Sequence, residues 1–203
     1  MAEHITKENH TLDDIPDGIT YKKSHNNFTD ELKTKLENLT TGTMEKIAEV
    51  NVSSNCTYVD FTGLDGNSAW FYVLFATIKN PTSNYCEYGI YVNGDTTNNH
   101  YYFQWVHGGG NSVSGNRGNP GIVATAESGH KVFSVIYITK DPDGYFMYEA
   151  NMNKKPASSI ELDYRVGAKT ETISNITSLR IQSTHDNGIG AGSKFILFKV
   201  RRS

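Results

Sequence analysis

From about residue 45 onward, apolar residues recur at every second position in short runs broken by turn formers. A period of two places alternate side chains on opposite faces of a strand, so this pattern excludes a helical body. The runs "TYVDFTG", "WFYVLFATIK", "EYGIYVNG", "HYYFQWVHGG", "GIVATA", "KVFSVIYITK", "GYFMYEANM", "SLRIQST" and "SKFILFKV" all read as strands rich in Tyr, Phe, Val and Ile. Between them stand "GLDGN" at 63–67, "NPTSN" at 80–84, "NGD" at 93–95, "DPDG" at 141–144 and "DNGIGAGS" at 186–193. "VNGD" is a hairpin cue, because Asn-Gly accepts the positive φ angles of a type I′ turn. Many short strands at regular spacing predict a mainly β fold, an antiparallel β-sandwich of jelly-roll type. With 203 residues, the chain is long enough to bury a core without covalent staples.

Alternation also assigns faces. In "VFSVIYI", Val132, Ser134, Ile136 and Ile138 share one face, and Phe133, Val135 and Tyr137 the other. Both are apolar, which predicts a central strand covered on both sides, with a neighbouring subunit as one source of cover.

The N-terminal part follows other rules. Residues 1–27 have almost no periodicity; Pro16, Gly18 and the acids Asp13, Asp14 and Asp17 favour turns. The isolated apolar residues Leu12, Ile15, Ile19 and Tyr21, with Pro16, predict an extended strap that orders on a partner's surface. In "FTDELKTKLENLT", Thr29 is a candidate N-cap, and Phe28, Leu32, Leu36 and Leu39 draw one narrow apolar stripe. A helix this short needs a surface to pack on. Its own body is one option, and the same helix in neighbouring subunits is the other.

Charge and cysteine content narrow the function. A formal net charge of −3 with mixed signs gives no electrostatic case for nucleic acid. The apolar run at 69–78 is too short for a membrane helix, so no membrane insertion is expected. One disulfide between Cys56 and Cys86 is possible, but the expected state is two free thiols of a chain folded in a reducing cytosol. His100 and His107 lie an odd number of residues apart and cannot chelate one ion from a strand, and neither cysteine has a C-x-x-C partner. No metal and no cofactor is therefore expected.

Catalytic patterns are equally sparse. There is no G-x-S-x-G, and Ser128 and His130 share only a turn. Asp60 and Glu87 exemplify the many carboxylate pairs that sequence alone leaves open for glycoside hydrolysis. "HGGGNSVSGNRGN", residues 107–119, lacks the Lys-Ser/Thr ending of a phosphate loop and reads as a long flexible loop with a binding role. Trp70, Trp105 and the tyrosines Tyr85, Tyr88, Tyr91, Tyr101 and Tyr102 could make a sugar platform, since aromatic rings stack on a pyranose face; of these Trp70, Tyr101 and Trp105, with Asn111 and Arg117, are the candidate glycan contacts. The competing reading places the Trp and Tyr residues in the sandwich core and along its rim.

The stretch "HTLDDIPDGITYKK", residues 10–23, resembles the N-terminal segment of phage tail-fibre and other virion appendage proteins, where a D-D-I-P-D-G-x-T-Y element precedes a helix and a distal module. The stretches "FTGLDGN" (61–67), "YVLFATIKN" (72–80), "YVNGDTTNNHYYFQ" (91–104) and "GIGAGSKFILFKV" (188–200) resemble the β-sandwich modules of phage minor structural proteins. Together these cover about half of the chain. The resemblance implies a structural, non-catalytic virion surface protein of a tailed bacteriophage, assembled in the bacterial cytoplasm, and commonly a homotrimer. It lacks the repetitive shaft of long tail fibres, which favours a head fibre, a decoration protein or a tail-tip appendage.

The resulting expectation has three parts. Residues 1–27 anchor the chain to another virion protein (capsid, portal vertex or baseplate), 28–44 form a trimerising helix and hinge, and 45–203 form the sandwich. The sandwich attaches to a host surface or decorates the capsid. The alternatives are a glycan-binding module, which recognises a host-surface glycan, and a small β-sandwich polysaccharide hydrolase.

Overall fold

The computed structural model describes residues 44–109, 112–154 and 161–201. The strap residues Leu12, Ile15, Pro16, Ile19 and Tyr21, the stripe of Phe28, Leu32, Leu36 and Leu39, and the loop residue Asn111 lie outside them. Twelve strands appear in the described residues: β1 (Met44–Asn51), β2 (Tyr58–Thr62), β3 (Ala69–Lys79), β4 (Cys86–Val92), β5 (Tyr101–Gly109), β6 (Ser112–Gly118), β7 (Ile122–Ala126), β8 (Lys131–Lys140), β9 (Tyr145–Lys154), β10 (Glu161–Thr172), β11 (Ser178–Ser183) and β12 (Lys194–Arg201). A larger sheet of eight runs β1-β12-β3-β8-β9-β10-β5-β6, and a smaller sheet of four runs β2-β11-β4-β7. All pairings are antiparallel, and several join strands distant in the chain, such as β3 with β12, β5 with β10 and β4 with β11. The expected antiparallel β-sandwich is the fold.

The core lies between the two sheets. Tyr72, Leu74 and Ile78 of β3, Ile136 and Ile138 of β8, and Phe146 and Tyr148 of β9 point inward from the larger sheet. Phe61, Tyr88, Ile90, Leu179 and Ile181 meet them from the smaller one. Each such side chain contributes about 1.5–3 kcal/mol by leaving water. Asn80, wholly buried after β3, ties the core's edge together. Its amide donates to the Asn84 and Ala126 carbonyls at 2.7 and 3.0 Å, and its carbonyl accepts from the Thr82 backbone at 3.0 Å. Cys56 and Cys86 are both free thiols.

Three expectations need correction. "HGGGNSVSGNRGN" is not a loop: most of it forms the β5–β6 hairpin, with Trp105 opposite Asn116 and Gln104 opposite Arg117. Glycine-rich strands show no side-chain alternation, so their backbone pairing is invisible in sequence. "VNGD" does make the expected turn, with φ 55° at Asn93 and 77° at Gly94. It joins no hairpin, however, because β4 ends in the smaller sheet and the chain passes through a single 3-10 turn at Asn98–His100 into β5 of the larger one. Finally, β8 is central but is covered on one face only among the described residues: Val132, Ser134, Ile136 and Ile138 are buried, whereas Phe133 and Tyr137 are exposed.

Candidate functional site

The smaller sheet covers only part of the larger one. Its edge strand β7 packs on β8 and β9 and barely reaches β10. Beyond that edge, β10 carries its charges inward. Asp163, Arg165 and Lys169 are only 4%, 5% and 4% exposed, while on the opposite face Leu162 is 60% and Tyr164 41% exposed. This inverts the usual apolar-in arrangement of a half-covered strand. It creates two candidate sites, one on each face.

The outward site is an aromatic groove across six strands. The backbone register aligns Thr139, Met147, Ala168 and Tyr102 in one row from β8 to β5. The next row runs Tyr137, Glu149, Val166, Gln104 and Arg117, ending on β6. Small residues in the middle of these rows, Ala168 and Val166, lower the floor between taller neighbours. Trp70, 65% exposed, rises at one end, its carbonyl accepting a 3.2 Å hydrogen bond from the Thr139 hydroxyl. Tyr102, 56% exposed, stands at the other. The groove's volume is about 860 Å³, within the range of small-molecule sites. Glu149 is the one carboxylate among its lining residues.

The inward site is a polar pocket of about 250 Å³ where β5 and β10 project past β7. His107 Nδ1 hydrogen-bonds Asp163 Oδ1, and Arg165 Nη2 donates to Asp163 Oδ2 at 2.7 Å. The Arg165 guanidinium lies 5.7 Å from the Phe103 ring centre and 6.0 Å from that of Trp105. Lys154 ends β9 buried; it donates to Glu127 at 2.7 Å, lies 3.0 Å from a Glu161 carboxylate oxygen, and sits 5.6 Å from the Tyr85 ring centre. Burial alone would lower the Lys154 pKa, but its bonds to Glu127 and Glu161 raise it above the usual value. Burial works to raise the Glu127 carboxyl as well, and Lys154 more than reverses that.

The expected contact residues therefore separate. Trp70 and Arg117 share the outward groove, and Trp105 lines the inward pocket. Tyr101 belongs to neither: it is wholly buried, and its hydroxyl donates to the Asp95 carbonyl at 2.7 Å. Sequence reasoning counted Tyr102 among the platform tyrosines but kept only its buried neighbour Tyr101 as a contact, and it overlooked β10 altogether. The signal was present in "ELDYRVGAK", whose charges at 163, 165 and 169 share one parity, but parity does not say which face is buried.

Other constellations resolve into structural roles. Asp60 forms a bidentate pair with Arg180 at 2.7 and 2.8 Å on the smaller sheet, two strands away from Glu87. The Ser128 hydroxyl donates to the Thr82 carbonyl at 2.8 Å, not to His130. Asp95, His100 and Glu171 come close enough to hold an ion. The Lys169 ammonium already lies 3.0 Å from Asp95 and 2.6 Å from Glu171, supplying the positive charge itself. Among the described residues, no helix is long and apolar enough to cross a membrane.

No family model, curated protein or solved structure matches this chain.

Proposed function

We propose that the chain is a structural, non-catalytic surface protein of a tailed-phage particle, of the head-fibre, decoration or tail-tip kind, and that the outer face of its larger sheet attaches it to a host surface. The phage assignment rests on the sequence resemblance. The attachment reading is carried by the inversion on β10: Leu162 and Tyr164 stay in water while Asp163 and Arg165 are buried. Exposed apolar area of this kind forgoes about 25 cal/mol for each Å² until a partner covers it, and contiguous patches of it mark interaction surfaces. Anchoring to other virion proteins and homotrimer formation are assigned to the segments ahead of β1.

A glycan is the second reading for the groove's ligand, favoured by the paired walls Trp70 and Tyr102 with Gln104 and Arg117 between the strands. Polysaccharide hydrolysis in this groove is disfavoured, because glycoside hydrolysis uses two carboxylates flanking the bond and Glu149 is the one carboxylate of its lining.

The experiment has two arms. Antibody labelling of purified particles under the electron microscope should place the protein on the particle surface; its absence from particles would refute the assignment. Fluorescently labelled protein should bind host cells, and Trp70→Ala with Tyr102→Ala should reduce that binding by about tenfold or more, as expected for aromatic anchors. Unchanged binding would remove the groove from the attachment reading.

A further inference from the structure

The inward pocket is built differently from the rest of the core. A sandwich interior is normally closed by apolar side chains from both sheets. Here a buried ion pair, Asp163 with Arg165, lies past the edge strand β7 and faces a cavity instead of a packed layer. Burying such charges is expensive unless every polar group is met. One is not: Arg165 Nε has no hydrogen-bond partner among the described residues and is itself closed to solvent, and Nη2 is the one guanidinium nitrogen that donates to a described residue. On the facing wall stands Glu87 of β4, which lines the same cavity and whose carboxylate makes no ion pair among the described residues. A donor and an acceptor thus remain open around one space, flanked by the Trp105 and Tyr85 rings.

We propose that this pocket binds a single neutral sugar ring. A sugar hydroxyl accepts and donates at once, so a ring with adjacent hydroxyls answers both an open guanidinium N–H and an open carboxylate. Its apolar face suits the half-buried indole of Trp105. The volume of about 250 Å³ lies below the range for larger ligands, which selects one ring rather than a chain. Charge selects a neutral one: Glu87, Glu161 and Asp163 outnumber Lys154 and Arg165 in the lining, and an anion would meet excess negative charge. The site lies on the opposite side of the larger sheet from the aromatic groove and does not depend on the groove binding anything.

The chain has two tryptophans, so Trp70→Phe leaves Trp105 as the sole indole reporter. In that variant, titration with the methyl glycosides of glucose, galactose, mannose and N-acetylglucosamine should give a saturable change in Trp105 emission for at least one of them. Glu87→Gln, and separately Arg165→Lys, each placed in the Trp70→Phe background, should weaken that binding by about tenfold, the size of one lost charge-assisted hydrogen bond. Arg165→Lys retains a charge beside Asp163 but loses the planar fork. Glu87→Gln keeps the test valid if Arg165→Lys fails to fold. The proposal is overturned by no saturable change up to the solubility limit, which would mean a pocket holding only water. Tighter binding of methyl glucuronide than of any neutral glycoside would also overturn it. So would sugar binding that Trp70→Phe abolishes and Glu87→Gln spares, because that binding belongs to the outer groove.

Discussion

The ring of Tyr148 lies over the backbone of Gly167, its direct cross-strand neighbour on β10, in the space a Cβ at Gly167 would need. The Tyr102 carbonyl crowds the same space from β5. This contact lets a full tyrosine ring lie flat in the core where three strands of the larger sheet meet. Gly167→Ala should therefore destabilise the protein by about 1–3 kcal/mol or more through overpacking. A urea midpoint equal to that of the parent would show that the ring moves aside freely.

Alkaline pH should unfold the sandwich through its buried tyrosines. Burial, with the nearby Asp65 carboxylate, pushes the Tyr72 hydroxyl up to about 12. Burial raises Tyr88, Tyr101 and Tyr148 as well. A phenol whose folded pKa lies above its unfolded value of 10 keeps its proton in the folded state after the unfolded chain has lost it. Stability is thus intact below pH 10 and falls as pH climbs toward 12. Tyr72→Phe should flatten part of that fall. Because the Tyr72 hydroxyl has no hydrogen-bond partner among the described residues, the substitution should be neutral or stabilising by up to about 1 kcal/mol at pH 7. A clear loss of stability at pH 7 would contradict this.

The Asp163–Arg165 pair should show the asymmetry of buried ions. Removing one partner leaves the other charged and buried, so Asp163→Leu or Arg165→Met alone should cost about 3–5 kcal/mol. Together the two substitutions should cost much less than the sum of the single effects. A double-mutant cycle in urea measures the difference, and strict additivity would mean that the pair does not act as a unit.

On the opposite face of the same strand, substitution should be nearly free. Leu162→Lys changes a side chain that is already mostly in water, so the thermal midpoint should stay within the effect of about 0.5 kcal/mol typical of surface positions. A large drop would mean that the outer face is covered in the free protein.

Much of the architecture was legible because it is local. Period-two runs gave β3, β8, β9 and β12, and positive-φ residues marked the turn at Asn93-Gly94. The glycine-rich β6 and the charge-bearing β10 were not recognised as strands. Glycine leaves no pattern, and a strand with ions on one parity looks like a solvated surface. The groove was half legible: Trp70 and Arg117 were singled out, but of the neighbouring platform residues Tyr101 and Tyr102 it was the buried Tyr101 that entered the contact set. One step along a strand exchanges the core for the surface, and that step depends on register.

The sequence by itself determined that this chain makes antiparallel strands, where most of them turn, and which side chains share a parity. Those properties follow from steric preferences within a few residues. Only the tertiary structure decided which parity faces inward. The smaller sheet ends at β7, so past that edge β10 buries Asp163 and Arg165 around a pocket and leaves Leu162 and Tyr164 to the solvent. The reason is physical: alternation fixes two faces, but only the packing of one sheet on another assigns them an inside and an outside.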